Sequence, residues 1–109
     1  MNRAIFAIAL LAAASFSEAA YNANMSGELE GLFVYAESDF IYFRLKNQPT
    51  SHPTCNPAYF VIPDTVPSDR RKMMLSRLSL AYATKEIVNV GYDKTGDCVS
   101  GYLRVHRVG

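Results

Sequence analysis

Residues 58–92 read AYFVIPDTVPSDRRKMMLSRLSLAYATKEIVNVGY. The hydropathy period changes twice along this stretch. Ala58–Ile62 is a short run of aromatic and β-branched residues, and Pro63 ends it, which is the pattern of a strand. Ser68 is the expected N-cap of a helix, because its hydroxyl can accept an orphan N–H of the first turn, and Asp69 suits the positive end of the helix dipole. From Asp69 to Lys85 the apolar residues fall at helical spacing: Met74, Leu78, Ala81 and Tyr82 form a stripe, flanked by Leu75 and Leu80. Arg70, Arg71, Lys72 and Arg77 then belong to the outer, basic face of that helix. Ile87–Tyr92 returns to strand character. The chain therefore carries a strand-helix-strand centre.

Working outward, Glu28–Ala36 and Phe40–Lys46 both read as strands, joined by a turn at Glu37-Ser38-Asp39 into a hairpin. In the second, Ile41, Phe43 and Leu45 alternate with Tyr42, Arg44 and Lys46, so one face is apolar and the other polar. Gly31 in the first suggests a bulge. Residues 20–27 are small and polar and read as a loose lead-in. Asn47–Pro57 is a Pro-rich loop. After Tyr92, Asp93-Lys94-Thr95-Gly96-Asp97 has the Gly and Asp of a hairpin loop, and Cys98–Val108 reads as one long final strand with Gly101 allowing a bend. The loop nearly matches the phosphorylated motif of cation-pumping ATPases, but those are large membrane proteins and a turn is the simpler account.

The order is strand-strand-strand-helix-strand-strand, mainly β with one helix. That is the order of the OB-fold, a five-stranded Greek-key barrel, and Gly31, Gly91 and Gly101 suit the sharp coiling of barrel strands. A β-grasp or a small open α+β sheet is the alternative.

The first 19 residues read as a separate segment. Arg3 supplies a positive start, Ala4–Ala14 is an unbroken apolar run of 11 residues, and Ser17 and Ala19 occupy the −3 and −1 positions of a cleavage site. That is the layout of a secretory signal peptide, and the run falls short of the roughly 20 apolar residues a membrane span needs. The mature chain is then a single domain over residues 20–109, periplasmic or secreted, with no second long apolar run and no expected membrane span. In an exported chain, the even pair Cys55 and Cys98 predicts one disulfide. The competing zinc set, adding His52 and His106, lacks a Cys-x-x-Cys or a close His pair.

A net charge of +1 argues against a nucleic-acid partner, and export argues against it further. The sum hides a division: residues 20–64 hold two bases and five acids, residues 65–109 eight bases and four acids. Opposite patches suit a head-to-tail ring, whereas the basic helix residues alone could be a solvated face. No activated nucleophile, metal motif or cofactor motif is legible, so the sequence reads as a binding module and not as an enzyme. Tyr42 beside Arg44 on the polar face of the second strand is the expected ligand platform, since OB-folds bind through that region.

Residues 78–105, LSLAYATKEIVNVGYDKTGDCVSGYLRV, resemble B subunits of bacterial AB5 toxins of the cholera and subtilase-cytotoxin types. The likeness rests on Ala81-Tyr82 at the helix end, on Val88 and Val90 in the next strand, and on the Cys and final strand. Over the rest of the chain it rests on element order. The resemblance implies a secreted OB-fold, often pentameric, that binds glycans on host surfaces. The alternative is a small periplasmic inhibitor or accessory protein acting by protein contact.

Overall fold

A computed structural model describes residues 21–109 of the chain; the leader expected over residues 1–19 lies outside the described residues. Strand β1 runs Ala23–Val34, β2 Ile41–Leu45 and β3 Asn56–Ile62. Helix α1 spans Ser68–Thr84, and β4 (Ile87–Tyr92), β5 (Cys98–Val99) and β6 (Tyr102–Val108) complete the described part.

The lead-in expected to be loose is the first half of β1. Ala23–Glu28 pairs antiparallel with β4, from Ala23 opposite Tyr92 to Glu28 opposite Ile87. The second half, Leu29–Val34, pairs with β2. Asn, Ser and Gly have little strand preference of their own, and the Val-rich β4 imposes the ladder on them. One strand thus serves two neighbours, and the register slips between Leu29 and Gly31 where it passes from one to the other. That is the bulge Gly31 foretold. A methyl group added there would meet the tip of the Phe33 ring at 2.8 Å, so a larger residue would have to swing that exposed ring aside.

The barrel closes at β6. This strand lies antiparallel to β4 and parallel to β3, with Phe60 opposite Leu103 and Val61 opposite Arg104. The circuit β1-β2-β3-β6-β4 returns to β1, so the sheet is a closed, five-stranded OB-like barrel and not an open α+β sheet. Inside it Phe43, Leu45, Phe60, Ile62, Val88, Val90 and Leu103 are fully buried. Phe60 packs against both Phe43 and Tyr92, each at a ring-centroid separation of 5.4 Å.

The final strand differs from its expected form. Ser100 and Gly101 both have positive φ, 53° and 83°, and reverse the chain in two residues. Such a turn matches the twist of a tight hairpin. The hairpin is therefore β5–β6, with Cys98 opposite Leu103, and Asp93–Asp97 connects β4 to β5, which do not pair with each other.

Helix α1 also departs in detail. Pro67, with extended backbone, takes the N-cap position without a side-chain cap, and Ser68 is already helical. The Arg71 N–H closes the first turn on the Pro67 carbonyl at 2.9 Å. Proline fits there because its fixed φ suits the helix entry and its missing N–H costs nothing. Leu78 and Ala81 are buried, with Met74 and Leu75 packed beside them. Tyr82, expected in the same stripe, is 44% exposed, and its hydroxyl donates to the Glu30 carbonyl. The helix rests mainly on β1, so the buried stripe is narrower than the sequence suggested.

Cys55 and Cys98 form the disulfide, with Cα atoms 5.5 Å apart. It ties the loop before β3 to the start of β5 and takes both thiols out of the zinc alternative. His52 organises the same corner. Its Nδ1 accepts the N–H groups of Cys55 at 2.9 Å and Thr54 at 3.2 Å, which leaves the proton on Nε2 to donate to the Asp93 carbonyl at 3.0 Å.

Replacing both Cys55 and Cys98 with Ala is expected to lower stability by about 2–4 kcal/mol in urea unfolding, and equal midpoints for the two proteins would contradict this. Lys85, which ends α1 in the left-handed region at φ 61°, offers the opposite case. Lys85→Gly is expected to stabilise the fold by about 0.5–1 kcal/mol in the same measurement, because glycine enters that region without Cβ strain.

Candidate functional site

Because Ile41, Phe43 and Leu45 point into the barrel, Tyr42 and Arg44 stand on its outer surface. Antiparallel pairing sets Phe33 directly across from Tyr42. The parallel β3–β6 pairing then brings Tyr102 to within 5.6 Å of Tyr59, ring centre to ring centre. Tyr42 sits in the middle: Tyr35 is 5.4 Å away, Tyr102 6.1 Å and Phe40 6.3 Å. Phe33 joins through Tyr59 at 5.8 Å. Four of these contacts are near-perpendicular, with interplanar angles of 79–86°. Edge-to-face packing satisfies the ring quadrupoles and holds each ring in a fixed orientation. Phe33 and Tyr35 are the most exposed members, and the others are half-buried.

Arg44 borders this aromatic face. Its guanidinium carbon lies 5.6 Å from the centre of the Tyr59 ring, Nε donates to Glu30 Oε1 at 2.9 Å, and Nη1 donates to the Ala58 carbonyl at 2.8 Å. A guanidinium has five donors. Two are used here, so the fork is held in place with donors to spare. The face thus combines rigid rings, phenolic hydroxyls, an oriented cation and the Glu30 carboxylate. Such a surface suits a ligand with apolar patches between polar groups.

The basic helix residues do not form one surface. Arg71 turns inward along the connector, donating to the Val66 and Asp39 carbonyls. Arg77 pairs with Glu86 at 2.7 Å and reaches the Gly109 carbonyl. Among the described residues, Arg70 and Lys72 are exposed and make no ion pair.

Sequence reasoning picked out Tyr42 and Arg44 but missed Phe33, Tyr35, Phe40, Tyr59 and Tyr102 as their partners. Alternation placed Tyr42 outward but did not place the other five rings; what it lacked was the seam that joins β3 to β6. The polar set Asp97, Arg104 and His106 was missed because Cys98–Val108 was expected to be one strand, whereas the β5–β6 reversal folds Asp97 back beside Arg104. Asp97, itself at φ 65°, holds Arg104 Nε at 2.6 Å and His106 Nε2 at 2.5 Å. The Tyr21 ring stacks on His106 at 5.7 Å.

The Asp93 carboxylate, which invited comparison with a phosphorylated motif, is occupied locally. It accepts the Thr95 N–H at 3.0 Å and the Thr95 hydroxyl at 3.1 Å. The Thr95 backbone bond, the leading cause, holds its pKa below the ordinary value, with help from the hydroxyl and from Asn22. Comparison with family models, with curated proteins and with solved structures gives no match at any level that carries an argument.

A carboxyl with a depressed folded pKa stabilises the loop fully above its unfolded value and loses that contribution as pH falls through the folded one. The Thr95 amide resonance is therefore expected to titrate with a midpoint below 3.8. Asp93→Asn is expected to abolish that titration. A midpoint at or above the ordinary value would show that the carboxylate is free.

Proposed function

We propose that the chain is an exported, non-enzymatic binding module that recognises a glycan through the aromatic face around Tyr42. The observation that carries this reading is the set of six interlocked rings bordered by Arg44 and Glu30 on the outside of an OB-like barrel. The carbon-bound hydrogens of a sugar pack on an aromatic face, and its hydroxyls need nearby charged and phenolic groups. The likeness of residues 78–105 to AB5 toxin B subunits supports the same reading and adds a pentameric ring to it. Leu80 and Ile87, 54% and 61% exposed, are apolar surface that subunit contact would cover.

A protein ligand is the second reading. Tyrosine and arginine are the residues that dominate protein–protein contacts, so the same face suits a small inhibitor or accessory protein.

A glycan array probed with the oxidised protein, run beside light scattering, separates the two. The first reading expects binding to a defined set of glycans, lost by about tenfold or more in Tyr35→Ala and Arg44→Ala with the circular dichroism spectrum unchanged. No glycan bound, together with a monomeric mass, would sink it in favour of the protein-contact reading.

A further inference from the structure

A groove of about 530 Å³ opens between the β3–α1 connector, the first turns of α1, and β6, and the aromatic face contributes nothing to it. Its volume falls within the roughly 300–1,000 Å³ of small-molecule sites. Two kinds of side chain line it. Pro63, Val66, Met73 and Met74 give an apolar wall, and three arginines, Arg70, Arg104 and Arg107, line it from two separate elements.

The charge in this groove is not balanced from within. Among the described residues, Asp97 is the one carboxylate side chain paired with the lining, and it is shared between Arg104 and His106. Arg107 is bonded to the neutral amides of Asn24 and Asn89, which orient it without neutralising it. The Arg70 side chain has neither an ion pair nor a hydrogen bond among the described residues, and it is exposed. Three arginines therefore line the groove against one shared carboxylate. Met73, on the same wall, is 65% exposed, and a flexible thioether side chain adapts readily to an apolar ligand.

From this arrangement we infer a second binding site, one that takes a small organic anion. Its carboxylate or phosphate head meets Arg70, Arg104 and Arg107, and its apolar body lies on Met73, Met74 and Val66. Guanidinium forks match both heads in geometry, and the apolar wall distinguishes such a ligand from a free inorganic ion. The inference is independent of the glycan reading, since the groove shares no lining residue with the aromatic face.

Amide-resolved NMR titration of the oxidised protein tests it, with hexyl phosphate, hexanoate, inorganic phosphate and hexanol as probes. Saturable shifts at Val66, Arg70, Met73, Arg104 and Arg107 are expected with hexyl phosphate, hexanoate or both, and the stronger of the two identifies the head group. Inorganic phosphate and hexanol are each expected to bind at least about tenfold more weakly, because each lacks one half of the ligand. Arg70→Glu is expected to weaken binding by a similar factor. Lys72→Glu makes the same charge change outside the groove and is expected to leave binding unchanged. The inference fails if neither amphipathic anion gives saturable shifts, or if hexanol or inorganic phosphate binds as tightly as they do. It fails equally if Arg70→Glu binds like the wild type, or if Lys72→Glu weakens binding as much as Arg70→Glu.

Discussion

Parallel pairing of β3 with β6 is the constraint on which the rest of the molecule depends. A sheet of strands β3-β2-β1-β4-β6 has two free edges, and each edge is a row of unpaired donors and acceptors. Joining the edges removes both, and it can happen only if the sheet coils strongly enough to meet itself. The bulge at Gly31 and the register shift between Gly91 and Tyr92 supply that coiling at the two places where β1 and β6 change partners. With the seam closed, Phe60 and Leu103 become neighbours in the interior, and Tyr59 and Tyr102 become neighbours on the surface. The core and the candidate binding face are two sides of one pairing.

The loop chemistry serves the same seam. Asn56 donates its N–H to the Gly101 carbonyl at 2.7 Å, just where the β5–β6 reversal begins β6. The disulfide lies one residue before that bond, and the His52 ring ties the adjoining backbone to Asp93. A domain of this size, described over residues 21–109, has a modest core, so covalent and polar bracing at the closing corner matters more than it would in a larger domain. Gln48 braces the other end of the loop, accepting the Leu45 N–H and donating to the Pro57 carbonyl while almost fully buried.

Much of this was legible in the sequence. Alternation in FIYFRLK gave the inward and outward faces of β2, the change of period after Pro67 gave the helix, and the element order gave the barrel. What stayed hidden was non-local. Residues 23–28 carry almost no strand preference, and their conformation is set by partners 59 to 69 residues later in the chain. The Ser100-Gly101 reversal was hidden because a serine with positive φ is uncommon, and Gly101 alone looked like a bend. Tyr42 and Arg44 could be singled out by their place on a strand, whereas the five rings around Tyr42 are gathered from β1, the β1–β2 turn, β3 and β6. No local pattern records such a gathering. The basic helix residues show the converse: adjacent in sequence, they diverge in space because a helix turns successive side chains about 100° apart.

The two-residue reversal at Ser100-Gly101 also governs the order of assembly. β6 is shared by β3 and β4, so neither the interior nor the seam can be completed until the last strand is available. Before that, β3 is paired on one side with β2 and open on the other, and it carries the apolar run AYFVI. An open edge carrying such a run is a template for pairing with another chain. Contacts this distant along the chain form slowly. Linking Cys55 to Cys98 early would hold the start of β3 beside the hairpin that delivers β6, shortening the search at the step where the protein is most exposed to association.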